Sequence, residues 1–151
     1  MKHLIAVTAV AVTLAQPAAA ITFPSLTTIY VGTGVVNFDA APMETVFNCS
    51  NVSGVTASVR FLVLDKNAVV VGNATLTPGH GGTVAVGTST LLNSTFGTDQ
   101  TLVTGTVNQG VINIESTQSG VFCNAIIVTP DAGEGITLPL VRVNPHPGTV
   151  E

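Results

Sequence analysis

The sequence has 151 residues, of which 46% are hydrophobic and only 8% are charged, and its formal net charge is −4. This length is typical of one domain, and the share of Val, Ile and Leu is high enough for a packed core, which excludes a disordered chain. The scarcity of basic residues excludes the electrostatic footprint of proteins that bind nucleic acids or anionic membranes. We therefore expect neither partner.

Residues 1–20 have the pattern of a secretory signal peptide. Lys2 precedes an apolar run, and the segment ends in three consecutive alanines. A basic start, an apolar centre and a small-residue end are the three parts of such a signal. A membrane anchor is the alternative, but the run is short for a bilayer core of about 30 Å, and Pro17 interrupts it. We predict cleavage after Ala20, with residues 21–151 forming one secreted domain, periplasmic or extracellular, without membrane insertion.

The remaining chain predicts strands and turns, because β-branched residues recur with period two between Gly, Pro, Asn and Asp. Residues 27–38 are predicted as one bent strand or two. Gly32 and Gly34 are the expected bulge points. The next predicted strand covers 44–50.

The clearest alternation lies in the stretch VTASVRFLVLD, residues 55–65. Every second side chain is apolar, so that face should point at the core. The predicted inward residues are Val55, Ala57, Val59, Phe61 and Val63. Residues 65–68, DKNA, predict a turn, because Asp and Asn side chains bond nearby backbone groups. The strand VVVGNATLT then returns along the first.

A second turn is predicted at 78–82, PGHGG, before the strand TVAVGTS with Val84 and Val86 inward. The segment 101–116 then predicts a hairpin that turns at 108–110, NQG.

The last third of the chain predicts an apolar strand at 120–128, a loop at 131–135 and a final strand at 136–144. Pro139 in that final strand favours an edge position, because proline cannot donate to a sheet ladder. Residues 144–151 form a predicted loosely held tail.

These elements amount to eight to ten short strands with turns every eight to twelve residues, which favours a β-sandwich or barrel. We predict an all-β fold, an antiparallel β-sandwich. No linker in residues 21–151 divides the chain into two domains.

The two cysteines, Cys49 and Cys123, each lie within a predicted strand. Two cysteines in an exported chain most economically form one disulfide. Cys49 shares a face with Phe47, and Cys123 shares one with Val121, so both should point inward. The sequence thus predicts a disulfide that joins one sheet to the other. A metal pair or a reactive thiol is the alternative, but neither has a histidine or an acid nearby in sequence.

Two resemblances follow from these residues. The separation of the two cysteines is similar to that in immunoglobulin-like domains, although the chain has no Trp and carries Val121 in place of the corner tyrosine. The stretches YVGTGV, FNCSNVSGVTASVRFLV, CNAIIV and VRVNPHPGT resemble a group of uncharacterised secreted bacterial β-sandwich proteins. The resemblance implies a sandwich that is immunoglobulin-like in the loose sense, and it implies no activity.

Catalytic and cofactor patterns are weak. His80 and His146 lie in a predicted turn and in the tail, without the spacing of a metal pair, and are interpreted as exposed. No G-x-S-x-G or S-x-x-K motif is present, so the many Ser and Thr residues are interpreted as strand surface. We predict no catalytic residue and no cofactor.

Acidic residues come in two loop pairs, Asp39 with Glu44 and Asp131 with Glu134. Such pairs serve glycoside hydrolysis in some enzymes, but acids in short loops are usually solvated caps or turn formers. The second pair is also a conceivable weak calcium site, but no D-x-D-x-D-G series supports it. We therefore predict no metal site.

Four Asn-x-Ser/Thr triplets begin at Asn48, Asn51, Asn73 and Asn93. They are glycan acceptors in a eukaryotic secretory route. Because the signal resembles a bacterial one, we interpret the triplets as a by-product of an Asn- and Thr-rich composition.

The sequence predicts an exported, non-enzymatic structural or surface protein that self-associates through β-edges into a homo-oligomer or filament. Residues 21–36 are the candidate donor or edge strand. The alternative is a monomeric secreted binding module for carbohydrate or a cell-surface partner, which the scarcity of aromatic residues disfavours.

Replacing Cys49 with Ser should lower the free energy of unfolding by roughly 4 to 5 kcal/mol, because the bridge closes a long loop in the unfolded chain. Urea denaturation of the variant and the oxidised wild-type protein measures the difference. Cys123→Ser should lose the same amount, and equal stability of all three proteins would contradict the bridge.

Overall fold

The computed structural model describes residues 25–38, 42–90, 97–129 and 135–143. The predictions for the signal peptide and for the tail lie outside these residues.

The described residues form ten β-strands and contain no helix, which confirms the all-β prediction. Their bounds are β1 Thr27–Phe38, β2 Met43–Asn51, β3 Val59–Leu64, β4 Val70–Leu76, β5 Thr83–Gly87, β6 Gln100–Thr101, β7 Val107–Ser116, β8 Val121–Val128, β9 Gly135–Leu138 and β10 Leu140–Arg142.

The strands are joined by hydrogen bonds into one branched, nearly closed sheet. Its main path runs β4-β3-β7-β1-β2-β5-β6, while β10 pairs with β1, and β8 lies between β2 and β9. The pairing of β5 with β6 is parallel, whereas the other described pairings are antiparallel. The sheet is therefore mixed, not wholly antiparallel as predicted.

Strand β3 shows how the alternation builds the core. The inward residues from Ala57 to Val63 are fully buried, as predicted, and Phe61 packs at 6.2 Å between ring centroids from Phe47. Val55 is 54% exposed, so its predicted inward position is wrong. The strand begins only at Val59, because the buried side chain of Asn51 binds the carbonyl of Val55 at 2.7 Å and holds that residue in a loop.

The glycines of β1 have two different roles. Gly34 has a φ of 89° and lies where the register with β7 shifts, which confirms a bulge there. Gly32 pairs in regular register with β7, so the bulge predicted at that residue is wrong. A Cβ on Gly32 would lie 2.7 Å from the end of the Leu140 side chain, so a larger residue there would displace that side chain of β10.

The predicted hairpin within 101–116 is wrong, because Val107–Ser116 is one continuous strand, β7. Gly110 lies within this strand, where neighbouring residues approach its Cα closely. A Cβ there would lie 2.8 Å from Val107, 3.0 Å from Val35 and 3.1 Å from the carbonyl of Leu64. The glycine that signalled a turn therefore serves a close approach of neighbouring strands.

The disulfide between Cys49 and Cys123 is present, which confirms the predicted pair. The two residues are direct register partners on adjacent strands β2 and β8, with their Cα atoms 4.1 Å apart. The prediction that the bridge joins one sheet to another is therefore wrong. Cys49 is fully buried, and the partly buried Cys123 packs against the core.

The predicted last strand is divided at Pro139. Gly135–Leu138 pairs with β8, and Leu140–Arg142 pairs with β1, so the chain changes ladders at the proline. Each of these short strands has one partner strand among the described residues. This arrangement agrees with an edge position for Pro139.

The turn between β3 and β4 is built by Asp65, as predicted. Its carboxylate accepts hydrogen bonds from the backbone N–H groups of Asn67 and Val69 at 2.8 and 2.9 Å. These bonds lower the pKa of Asp65. The turn places Ala68 at a φ of 62°, a conformation that L-residues other than Gly adopt only with strain.

Replacing Ala68 with Gly should raise the free energy of unfolding by about 0.5 kcal/mol, because relief of strain exceeds the added entropy of the unfolded chain. Urea denaturation checks it. The matched control is Ala74→Gly in the buried interior of β4, which should be destabilising. Destabilisation by both changes would contradict the strain.

Candidate functional site

The residues that the sequence singles out for chemistry do not converge in the structure. His80 is exposed, as predicted, and its Nδ1 accepts a hydrogen bond of 3.1 Å from the backbone N–H of Gly54. The predictions for His146, Asp131 and Glu134 lie outside the described residues. Within the described ranges, no group of three or more His, Cys, Asp or Glu side chains lies close enough to hold a metal ion.

The structure separates the asparagine triplets by access. Asn51 is fully buried and binds the carbonyls of Val55 and Pro78, so it has no free amide in the folded protein. Asn48 lies within β2 and donates to Asn124 across the strands. Asn73 is exposed on β4. Asn93 lies outside the described residues.

A buried polar cluster lies where β2 leaves β1, and we call it the polar junction. It consists of Asn37, Glu44, Thr45, Thr88 and Thr104, each at most 8% exposed. The two strands pair only at Asn37 with Glu44 and at Phe38 with Met43. Beyond these pairs, side-chain hydrogen bonds connect β1 to β2 and to the segment after β5.

Two hydroxyl groups replace the missing backbone ladder. Thr45 Oγ1 accepts from the backbone N–H of Val36 at 3.0 Å and donates to the carbonyl of the same residue at 3.1 Å. Thr88 Oγ1 also donates to the Val36 carbonyl and accepts from the backbone N–H of Thr45, both at 3.0 Å. The backbone groups of Val36 are thus satisfied by side-chain hydroxyl groups in place of backbone partners.

Asn37 extends this network to the segment after β6. Its Nδ2 donates to the carbonyl of Thr88 at 2.9 Å, to Oγ1 of Thr104 at 3.0 Å and to the carbonyl of Gly105 at 2.8 Å. Its Oδ1 is buried and has no hydrogen-bond partner.

Glu44 is the most unusual residue of the polar junction, because it is only 1% exposed and neither carboxylate oxygen has a hydrogen-bond partner. Burial raises its pKa to about 7, which the nearby backbone amide of Ser89 offsets in part. That amide does not make a hydrogen bond of good geometry with either oxygen. The prediction of a solvated loop acid at Glu44 is therefore wrong, while Asp39 lies outside the described residues.

A cavity of about 190 Å³ lies beside the polar junction. Its lining is rich in hydroxyl groups, and it includes Asn37, Thr88, Ser89 and Thr104. The lining residues come from the end of β1 and from the segments that follow β5 and β6.

Sequence reasoning missed the polar junction, because its members are scattered between residues 37 and 104. The one available signal was the placement of Glu44 at the second position of an otherwise uncharged strand, METVFNCSN. A carboxylate at that position is buried when the strand packs in the interior.

Among the described residues, four strands pair with only one other strand, namely β4, β6, β9 and β10. Strand β4 pairs only with β3, and β9 pairs only with β8, among the described residues. Exposed apolar side chains lie on both, with Val70 48% and Ile136 71% exposed. The predicted edge at residues 21–36 is wrong for its described part, because β1 pairs with β7 on one side and with β10 and β2 on the other.

One exposed aromatic ring lies near β10. Phe122 is 52% exposed, and the guanidinium of Arg142 lies over it at 5.1 Å and over Tyr30 at 5.8 Å from the ring centroids. Arg142 also donates to the carbonyl of Ser119 at 2.6 Å. These contacts fix the guanidinium between the two rings.

Comparisons with known protein families, with curated proteins and with solved structures find no match for this chain. The described residues include no helix long and apolar enough to cross a membrane.

The buried Glu44 should make stability depend on pH in metal-free buffer. Its carboxyl ionises near pH 4.5 in the unfolded chain and near pH 7 in the folded protein, so the folded state retains a proton between these values. The contribution of the protonated Glu44 to the free energy of unfolding is complete below pH 4.5 and is lost as the pH rises through 7. The loss amounts to about 3 kcal/mol of unfolding free energy.

Urea denaturation between pH 4 and 8 checks this dependence. Replacing Glu44 with Gln should abolish this part of the pH dependence and should stabilise the protein at pH 8. The control is Glu115→Gln, which removes a carboxylate paired with Arg60 and should keep the dependence. An unchanged pH profile for Glu44→Gln would show that Glu44 titrates normally.

Proposed function

We propose that the protein is an exported, non-enzymatic structural or surface protein that self-associates through its β-edges. The observation that carries the proposal is the pair of exposed edge strands, β4 and β9. Neither strand contains a charged residue, and each has one partner strand among the described residues.

Edge strands without charges are unusual, because an unpaired row of backbone N–H and C=O groups is a template for another chain. Soluble proteins commonly protect such edges with Lys, Pro, bulges or covering loops. Here β4 has a register shift near its start and β9 ends at a proline, but both keep apolar side chains in water. These features favour strand addition by a second copy.

The two edges belong to different ends of the branched sheet, which determines the kind of assembly. An edge β4 that pairs with an edge β9 of another copy makes a heterologous contact. Such contacts give rings or open filaments, depending on whether the rotation between copies closes. The edges therefore support a homo-oligomer or filament.

Export is supported by the disulfide between Cys49 and Cys123, since disulfides persist in oxidising compartments. The signal-peptide pattern of residues 1–20 points the same way. We propose a periplasmic or extracellular location, and the relation to uncharacterised secreted bacterial proteins is part of this proposal.

We propose further that the branched sheet is a sandwich of two layers. One layer would contain β4, β3, β7, β1 and β10, and the other β6, β5, β2, β8 and β9. This division is supported by the two-residue pairing between β1 and β2 and by the change of ladder at Pro139. The bridge lies within one layer, so the likeness to immunoglobulin domains extends only to two packed sheets.

The second candidate is a monomeric binding module for carbohydrate or a surface partner. The exposed ring of Phe122 favours it, because aromatic rings stack on apolar faces of ligands. Arg142 already lies over this ring, which reduces the surface left for stacking. We therefore place self-association first.

Replacing Val70 or Ile136 with Lys should weaken self-association by at least roughly tenfold, because a desolvated charge opposes strand pairing. Light scattering over a range of concentrations, with electron microscopy of the same samples, measures the effect on the oxidised protein. Wild type should gain mass with concentration.

The matched control is Val103→Lys, which adds the same charge at a position that is 89% exposed and outside the strands. It should associate as wild type does. A wild-type monomer at all concentrations would contradict the proposal and favour the binding module.

A further inference from the structure

The polar junction contains an electrostatic imbalance. The buried side-chain atoms without a hydrogen bond in the described residues are Oδ1 of Asn37 and the two carboxylate oxygens of Glu44. Asn37 and Glu44 are register partners on adjacent strands. Directly opposed residues in an antiparallel pair have Cβ atoms about 4.5 to 5.5 Å apart, so the oxygens can meet at one point.

All three atoms are acceptors, and the side-chain donors of the polar junction are used on other groups, which leaves the backbone amide of Ser89 near the carboxylate of Glu44. The hydroxyls of Thr45 and Thr88 donate to the carbonyl of Val36, and the hydroxyl of Thr104 donates to the carbonyl of Gly105. The amide hydrogens of Asn37 are directed to three other oxygens. Burying acceptors without hydrogen bonds is costly, so a proton or a cation at this place would stabilise the arrangement.

We infer that Asn37 and Glu44 form a binding site for Ca²⁺, with Oδ1 of the amide and both oxygens of the carboxylate as ligands. A single cation can contact all three acceptor oxygens together. A proton on Glu44 can form a hydrogen bond with only one further acceptor, Oδ1 of Asn37. The inference does not depend on the proposed function.

The chemistry of the ligands selects the cation. The site offers only oxygen, from one carboxylate and one amide, which hard cations prefer. Ca²⁺ accepts bidentate carboxylates and irregular geometry at six to eight ligands, whereas Mg²⁺ requires a near-ideal octahedron. Softer metals prefer His and Cys ligands, and no cluster of such side chains lies within the described residues.

The adjacent cavity would give the cation access from the side of Asn37, while Glu44 lies behind its lining. Asn37 lines it, and Ser89, whose amide lies near the carboxylate of Glu44, lines it too. Its volume of about 190 Å³ exceeds the roughly 30 Å³ that one water occupies in the liquid. Waters in this space would complete the coordination, which places the site among the weaker, extracellular type of calcium sites.

The test is calcium binding to the oxidised protein after chelation. Calcium should bind with a dissociation constant of about 0.1 to 1 mM, the range of extracellular calcium modules, in isothermal titration calorimetry. At about 10 mM calcium, the melting temperature should rise by about 5 °C. An equal ionic strength of NaCl, and MgCl₂ at the same concentration, should give a smaller rise.

Replacement of Glu44 by Gln keeps the shape and removes the charged ligand, so it should abolish both the calcium heat and the rise in melting temperature. Glu115→Gln removes a carboxylate that is paired with Arg60 and should respond as wild type does. An equal calcium response of the Glu44 variant would place calcium elsewhere and overturn the site.

A measurement on wild type alone keeps the inference testable if the Glu44 variant fails to fold. Amide chemical shifts in NMR should change on calcium addition at Asn37, Glu44 and Ser89. No heat and no shift at about 10 mM calcium, roughly ten times the weakest expected constant, would overturn the inference. The proton on Glu44 would then be the partner of the buried acceptors.

Discussion

The fold depends on how strand β2 leaves strand β1. The two strands share only two residue pairs, after which each has other partners. Where two strands diverge inside a core, their backbone groups lose their ladder partners and water cannot replace them. Each unsatisfied group of this kind costs about as much free energy as a lost hydrogen bond. The hydroxyls of Thr45 and Thr88 and the amide of Asn37 supply the missing partners. Because of them, one chain can form a branched sheet around its main apolar core.

The branching also explains the disulfide. Strand β2 is paired along most of its length with β5 on one side and β8 on the other. The bridge between Cys49 and Cys123 is therefore a rung of the β2–β8 ladder and faces the core.

Much of the fold follows from local patterns in the sequence. The alternation from Ala57 to Val63 identifies buried side chains, and Asp65 identifies a turn, because both depend on neighbours within a few residues. The segment Asn108–Gly110 was wrongly predicted as a turn, because the sequence alone does not distinguish a glycine in a turn from a glycine that lets a neighbouring strand approach closely. The approach of Val35 to Gly110 is a tertiary contact between residues far apart in the chain.

The candidate site was less predictable than the fold for the same reason. Glu44 follows a loop in the sequence, where acids are ordinarily hydrated. Its burial depends on how β1, β2, β8 and the segment after β5 meet, and no short stretch encodes that meeting. The pairing of cysteines was predictable from their number, but their placement on adjacent strands required the register.

The in-register bridge has a mechanical consequence. If copies join through β4 and β9, tension on the assembly reaches each subunit through its outer ladders. Backbone hydrogen bonds between strands yield to force one at a time when they are peeled from an end. A covalent rung at Cys49 and Cys123 stops such peeling between β2 and β8. Under oxidising conditions the chain from Cys49 to Cys123 could not be drawn out end to end, and its full extension would require a reductant.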